Sequence, residues 1–333
     1  MTGIRLSLAL EGGGLVLPDG ARIAVFAPTV DSDLSALPRD LCHVITGTKP
    51  DSDYFEALGY ACNTAPEGRY GAALVCMPRA KDRARALIAE AADVTDGPVI
   101  VDGQKTDGIE SAMKACRKQA DGVSGPINKA HGKLFWMDPA PELPGWRAGA
   151  PAEIEGGFVT APGVFSADGI DPASQALAEA LPETLGAHVI DLGAGWGYLT
   201  HRALEREAIA RIDAVEADHV ALACARRNVA DARAQFHWED ALRWRPDALA
   251  DAVLMNPPFH TARKADPALG RAFIAAAAEM LKPSGQLWMV ANRHLPYEQT
   301  LAGLFADVSE LPGGDTRFKL LHARRPMRKT RKA

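Results

Sequence analysis

Cysteine is scarce in this chain: five residues, at positions 42, 62, 76, 116 and 224, with no close pair among them. That spacing argues against a zinc site and against a disulfide framework, and it reads as reduced thiols in a cytoplasmic protein without a metal centre. Long hydrophobic runs are missing as well. Leu6–Leu10 is too short for a signal peptide and is followed by Glu11, and no apolar run approaches membrane-spanning length. Positive charge is not in excess either, since 37 Lys and Arg against 42 Asp and Glu leave a net charge of −5. That balance argues against indiscriminate nucleic-acid binding, so any contact with RNA must come from local patches.

What is present is enough for two cores: 333 residues, 47% of them apolar. The segment Asp138-Pro139-Ala140-Pro141-Glu142-Leu143-Pro144-Gly145-Trp146 holds too many prolines for a helix or a central strand. It predicts a linker near residue 145, and so domains at 1–145 and 146–333. The two halves share a rhythm. Ala72-Ala73-Leu74-Val75-Cys76-Met77-Pro78, a helix at 80–92, Pro98–Asp102, a helix at 107–120 and Lys133–Trp136 run parallel to Asp251–Pro257, a helix at 267–281, Gln286–Val290, a helix at 297–305 and Phe318–Leu321. They read as diverged copies of one α/β doubly wound, Rossmann-like fold. In that alignment Met77 stands where the second copy has Asn256, and a thioether cannot accept amine hydrogens as an amide oxygen can. The first copy is therefore expected to be catalytically dead. Its Glu11-Gly12-Gly13-Gly14 precedes an apolar stretch instead of linking a strand to a helix, and predicts only a flexible turn.

The second half carries a glycine turn of a different kind. Val189-Ile190-Asp191-Leu192-Gly193-Ala194-Gly195-Trp196-Gly197-Tyr198 reads as a buried strand, a turn whose backbone from Gly193 through Ala194 and Gly195 to Gly197 lies open to a ligand, and a helix start. A dinucleotide fingerprint wants glycine three residues after Gly195. Tyr198 is there instead, which argues against a nicotinamide oxidoreductase. Strand Arg211–Val215 then brings Glu216 to its tip, 23 residues after Gly193, where a carboxylate can accept from both hydroxyls of a ribose. Beyond the helix at 218–230 and the strand Ala234–His237, Asp240 can take an adenine amino group, with Glu239 as its competitor.

The next strand, Ala252–Met255, delivers Asn256-Pro257-Pro258-Phe259-His260. An exocyclic amine on a nucleobase is a poor nucleophile because its lone pair is delocalised into the ring, so a site must hold its hydrogens and aim the nitrogen. Asn256 and the Pro257 carbonyl can accept those hydrogens, the prolines fix the turn, and Phe259 offers a face on which an extruded base stacks.

The turn Asp191-x-Gly193-x-Gly195-x-Gly197 resembles motif I of the class I methyltransferases. Together with Pro162-Gly163-Val164-Phe165-Ser166, Asp168-Gly169, Asp171, Asn-Pro-Pro-Phe-His, Val290-Ala291-Asn292, Leu295-Pro296-Tyr297 and Arg317-Phe318-Lys319, it makes residues 158–323 similar to the bacterial ribosomal RNA guanine-N2 methyltransferases, the small-subunit enzyme above all. The resemblance implies methyl transfer from S-adenosylmethionine to the guanine 2-amino group, with the Asn-Pro-Pro-Phe loop catalytic. It implies that Asp191, Gly193, Glu216, Asp240 and Asn256 face the cofactor, and that the first copy is a degenerate methyltransferase-like domain. Two departures stand out: Glu216 where many relatives have aspartate, and bulky Trp196 in the loop.

Substrate contacts are expected from Phe165, His260, Arg293 and Arg317, with no catalytic role for His260. Asp171-Pro172 reads as a helix N-cap followed by a first-turn proline. RNA recognition has candidates in Lys114, Arg117 and Lys118, in Lys129, His131 and Lys133, and in the tail, where Arg324, Arg325, Arg328, Lys329, Arg331 and Lys332 put six cations in the last ten residues. Two other classes stay open. Asn-Pro-Pro followed by an aromatic also occurs in adenine-N6 and protein glutamine methyltransferases, and a dead methyltransferase fold can serve as a non-catalytic assembly factor.

Overall fold

Runs such as Ala72–Cys76 and 252–255 are apolar without alternation, which suits strands covered on both faces. In a computed structural model, which describes residues 2–258 and 267–328, they are inner strands of two seven-stranded sheets. The chain divides into two compact units, Met1–Ala150 and Pro151–Ala333. The proline-rich segment 138–146 belongs to the first, where Leu143 is buried and Arg85 lies over the Trp146 ring.

The first unit runs α1 (Thr2–Glu11), β1 (Ile23–Phe26), β2 (Cys42–Ile45), α2 (Lys49–Ala57), β3 (Ala61–Asn63), β4 (Ala72–Cys76), α3 (Lys81–Asp93), β5 (Val99–Gln104), α4 (Ile109–Gln119), β6 (Val123–Lys129) and β7 (Gly132–Met137). Its sheet order is β3-β2-β1-β4-β5-β7-β6, with β7 antiparallel to both neighbours. The triple glycine follows α1, and Gly13 N donates to the Ala9 carbonyl as the helix ends. Lys114, Arg117 and Lys118 are exposed on α4, while Lys129 and His131 are exposed around the β6–β7 turn.

The second unit opens with a small pair, β8 (Ala152–Glu153) and β9 (Val159–Thr160). It continues α5 (Pro172–Ala180), β10 (His188–Leu192), α6 (Tyr198–Ala203), β11 (Arg211–Glu216), α7 (His219–Asn228), β12 (Ala234–Trp238), β13 (Ala250–Met255), α8 (Pro267–Met280), β14 (Leu281–Asn292), α9 (Glu298–Ala302), β15 (Phe305–Leu311) and β16 (Phe318–Pro326). The order β12-β11-β10-β13-β14-β16-β15 repeats the first sheet strand for strand. Each sheet has an apolar cluster on both faces.

Register makes the equivalence residue by residue. Phe26 pairs with Ile45 as Leu192 pairs with Val215, so Ala27 takes the place of Gly193 and Thr46 that of Glu216. Phe26 also pairs with Val75, while Asp191 pairs with Leu254, which sets Val75 against Met255 and Cys76 against Asn256. The expected Met77 equivalence is thus off by one. Face agrees with register: Cys76 packs with Leu6 and Ala9 of α1, whereas Met77 points into the opposite cluster. Burial pushes the Cys76 thiol up to about 12, so this position holds a neutral thiol. Among the described residues no helix is long and apolar enough to cross a membrane.

Candidate active site

The glycine turn leaves β10 with Gly193, Gly195 and Gly197 all at positive φ, between +56° and +91°. A side chain would be strained at each of them. At Gly197 space is short as well, because an added Cβ would come within 3.1 Å of the Ala225 Cβ on α7. The turn is pinned by backbone donors: Gly193 N and Ala194 N both reach the Val215 carbonyl, at 2.9 and 3.0 Å. Trp196 does not obstruct it. Its ring is buried against Phe158 and Tyr198, and its indole Nε1 donates to the Phe165 carbonyl at 3.0 Å, tying the 162–169 loop to the turn. The Phe165 ring itself is 52% exposed and so is available to stack on a ligand.

Three carboxylates follow at strand ends. Asp191 is fully buried; Thr200 Oγ1 donates to its Oδ2 at 2.6 Å, and among the described residues Oδ1 has no partner. Burial pushes its pKa up to about 7. Glu216 accepts from Gly195 N at 2.7 Å and from Asp218 N at 2.8 Å, which fixes the carboxylate at the mouth of the turn, and burial raises its pKa as well. Asp240 is half-buried and caps a turn by accepting from Leu242 N at 2.9 Å, while Glu239 N donates to the Glu216 carbonyl. Backbone at positive φ flanked by buried acceptors fits a ligand that brings hydroxyl and amine donors. Among the described residues no group of three His, Cys, Asp or Glu could hold a metal ion.

Asn256 leaves β13 half-buried, ahead of buried Pro257. Its Nδ2 donates to Asp171 Oδ2 at 2.9 Å and to Ser174 Oγ at 2.8 Å. Asp171 is the α5 N-cap that the sequence predicts, its Oδ2 accepting from Ser174 N, and it reaches Asn256 besides. A cavity of about 170 Å³ opens here, lined by Asp171, Pro172, Asn256, Asn292, Arg317 and Phe318 among others. Arg317 shares this lining with Asn256, its guanidinium held by Asp315. Arg293 lies outside that lining. It donates to the Asp315 and Phe318 carbonyls and pairs with Glu310, so it supports the turn that carries Arg317. Phe259 and His260 lie outside the described residues. Sequence reading missed Asn292 at this cavity and the reach of Asp171 and Ser174. The available signal was an Asp-Pro-x-Ser helix start placing two short acceptors at one helix end.

The elevated Asp191 yields a test. The unfolded chain loses this proton in the ordinary carboxylate range, the folded chain only near 7, so ionisation weakens the fold progressively between those values and fully above them. Asp191→Asn is therefore expected to raise the melting temperature relative to wild type at pH 8 and to leave it nearly unchanged at pH 4, while weakening cofactor binding. A melting-temperature difference that does not vary with pH would refute the burial argument.

The family model of the methyltransferase small domain matches residues 155–322. Ribosomal RNA small subunit methyltransferase C of Shewanella sp. (strain MR-4) is 30% identical over 267 residues, 76% of this chain and 77% of that protein. The protein of the same name from Pseudomonas paraeruginosa is 31% identical over 274 residues, covering 79% and 81%. Among solved structures, the T. thermophilus 16S rRNA guanine-N2 methyltransferase in complex with AdoMet and guanosine superposes with a TM-score of 0.78 at 26% identity, over 97% of this chain and 91% of that one. With a matching domain model, relatives aligned over most of both lengths and one fold repeated twice, the chain belongs to the family of the small-subunit ribosomal RNA methyltransferases C.

Proposed function

We propose that this chain methylates the exocyclic N2 amino group of a guanine in ribosomal RNA, with S-adenosylmethionine as the methyl donor and the small-subunit RNA as the target. The observation that carries the reading is Asn256 at the end of β13, its amide nitrogen engaged by Asp171 and Ser174 and its oxygen without a donor among the described residues, at a cavity it shares with Asn292 and Arg317. The bound cofactor supplies an electrophilic methyl on a sulfonium, whose C–S electron pair stays with sulfur as the N–C bond forms. Asp191, Glu216, Asp240 and the Gly193–Gly197 backbone hold it. Asn256 Oδ1 and the Pro257 carbonyl take the two amine hydrogens and aim the nitrogen lone pair. Phe259 stacks on the base, and Phe165 and Arg317 flank it. The amine proton becomes acidic once the methyl is attached and leaves to solvent, so little general-base help is needed.

A base inside a helix is out of reach, so the target is flipped or unpaired. The first unit, with Ala27, Thr46 and Cys76 in place of Gly193, Glu216 and Asn256, has neither the Glu216 carboxylate nor the Asn256 amide at those positions and serves as a degenerate support for RNA recognition. The protein works in the cytoplasm, where its substrate is made.

Transfer of labelled methyl to small subunits, large subunits and free ribosomal RNAs, followed by nucleoside analysis, tests the reading. Label in N2-methylguanosine of 16S RNA is expected. Label in N6-methyladenosine would shift the assignment to adenine, and absence of label from every RNA would shift it to protein glutamine or to a binding role. The basic tail has its own test. Truncation after Arg328 removes three cations and is expected to flatten the salt dependence of RNA binding, by about 0.7–0.9 in log–log slope for each phosphate that the tail neutralises. An unchanged slope would leave the tail without a role in binding.

A further inference from the structure

A primary amide is ambiguous: one end accepts and the other donates two hydrogens. Whether Asn256 attracts an amine or repels it depends on which end faces the cavity. Asp171 Oδ2 already accepts from Ser174 N, so at 2.9 Å from Nδ2 this acceptor admits the nitrogen on its side and rejects the oxygen. Ser174 Oγ, 2.8 Å away, takes the second hydrogen. Both partners are fixed themselves. Asp171 is locked by the helix it caps, accepting Ser174 N at 2.8 Å, and Ser174 is buried in the first turn of α5.

We infer that Asp171 and Ser174 are positioning residues that lock the Asn256 amide with its oxygen toward the substrate, so that the site selects a base edge carrying an amine and rejects one carrying a carbonyl. This rests on the function proposed above. Neither residue needs to touch the base. With the amide locked, a ring carbonyl at the same place meets an acceptor and leaves both oxygens unpaired, which discriminates more strongly than shape alone. If the lock is removed, the amide can rotate. Its flipped state presents donors to the amine, and turnover falls with the fraction of flipped enzyme.

The test is steady-state methylation of small subunits by wild type, Asp171→Ala, Asp171→Asn and Ser174→Ala, with melting temperature and cofactor affinity measured for each. Asp171→Ala is expected to lower kcat on the order of tenfold or more, and Ser174→Ala about three- to tenfold, with KM for the subunit little changed. Asp171→Asn keeps an acceptor for both Nδ2 and Ser174 N and is expected to recover most of the turnover. Ser174→Ala leaves the Asp171 cap in place, so its effect does not depend on the stability of α5. Wild-type kcat in both alanine variants would overturn the inference while leaving the proposed function intact. So would a loss confined to KM, or one that Asp171→Asn shares in full. Failure of wild type itself to form N2-methylguanosine would instead overturn the function on which the inference rests.

Discussion

Asn256→Ala is expected to reduce methyl transfer at least about 100-fold, because orientation of the amine is what the site contributes to the reaction. The fold should survive. Asn256 is half-buried at the exit of β13, and Asp171, which gives up one hydrogen bond to it, still accepts from Ser174 N. The backbone around it is set by Pro257 and Pro258, which the substitution does not touch. Cofactor affinity should fall little, since Asp191, Glu216 and the glycine turn lie on β10 and β11, where Thr200, Gly195 and Asp218 hold the two carboxylates. Turnover, cofactor binding by calorimetry and thermal unfolding separate these effects. Near-normal turnover in a folded, cofactor-binding variant would remove Asn256 from the chemistry and leave the Asn-Pro-Pro turn as ordinary strand punctuation.

The parts of the site that are legible in sequence are those in which a single residue must satisfy a local constraint. Gly193, Gly195 and Gly197 can be read because their φ values admit little else, and Glu216 because strand length alone carries it to the tip of β11. Helices fall within a few residues of expectation where apolar spacing is regular, as for α3 at Lys81–Asp93 against an expected 80–92. The elements that sequence does not reveal lack such a marker. Helix α1 shows only as a short apolar run, and β6 has no strand marker because Gly125-Pro126 interrupts it where the pairing shifts register between Ser124 and Ile127. The slip that matched Met77 to Asn256 has a physical cause. In a strand buried on both faces, apolar residues do not alternate, so sequence does not show which side each one takes. The hydrogen bond between Asp171 and Asn256 spans 85 positions and is set by packing, which no local pattern reports.

Helix α1 stands before β1 as α5 stands before β10, and both send polar groups from their first turn to the carboxyl edge of their sheet. In the second unit these groups reach Asn256. In the first they close on Asp102, which pairs with Cys76, the residue in Asn256's place. Arg5 Nε donates to Asp102 Oδ1 at 2.5 Å and Nη2 to Oδ2 at 2.8 Å, Thr2 Oγ1 adds a bond at 2.9 Å, and Arg5 Nη1 donates to the Lys129 carbonyl at 3.0 Å. Arg5 is fully buried and Asp102 is 3% exposed. An ion pair so placed yields little net stability when whole, because desolvation offsets the attraction, but removing one partner strands a charge. Asp102→Ala is therefore expected to destabilise the first unit by about 3–5 kcal/mol, and Arg5→Ala by a similar amount. Replacing both together, Arg5→Met with Asp102→Leu, should recover much of that loss. Scanning calorimetry on the three variants decides the matter, with cofactor affinity expected to stay at the wild-type value because Asp191 and Glu216 belong to the other unit. If the double replacement were as unstable as either single one, the pair would be stabilising through its hydrogen bonds to Thr2 and Lys129. If all three variants melted like wild type, α1 would not be held by this pair at all. The expected pattern identifies the ion pair as a structural clasp on β5, beside Cys76, the residue that stands where the other copy has Asn256.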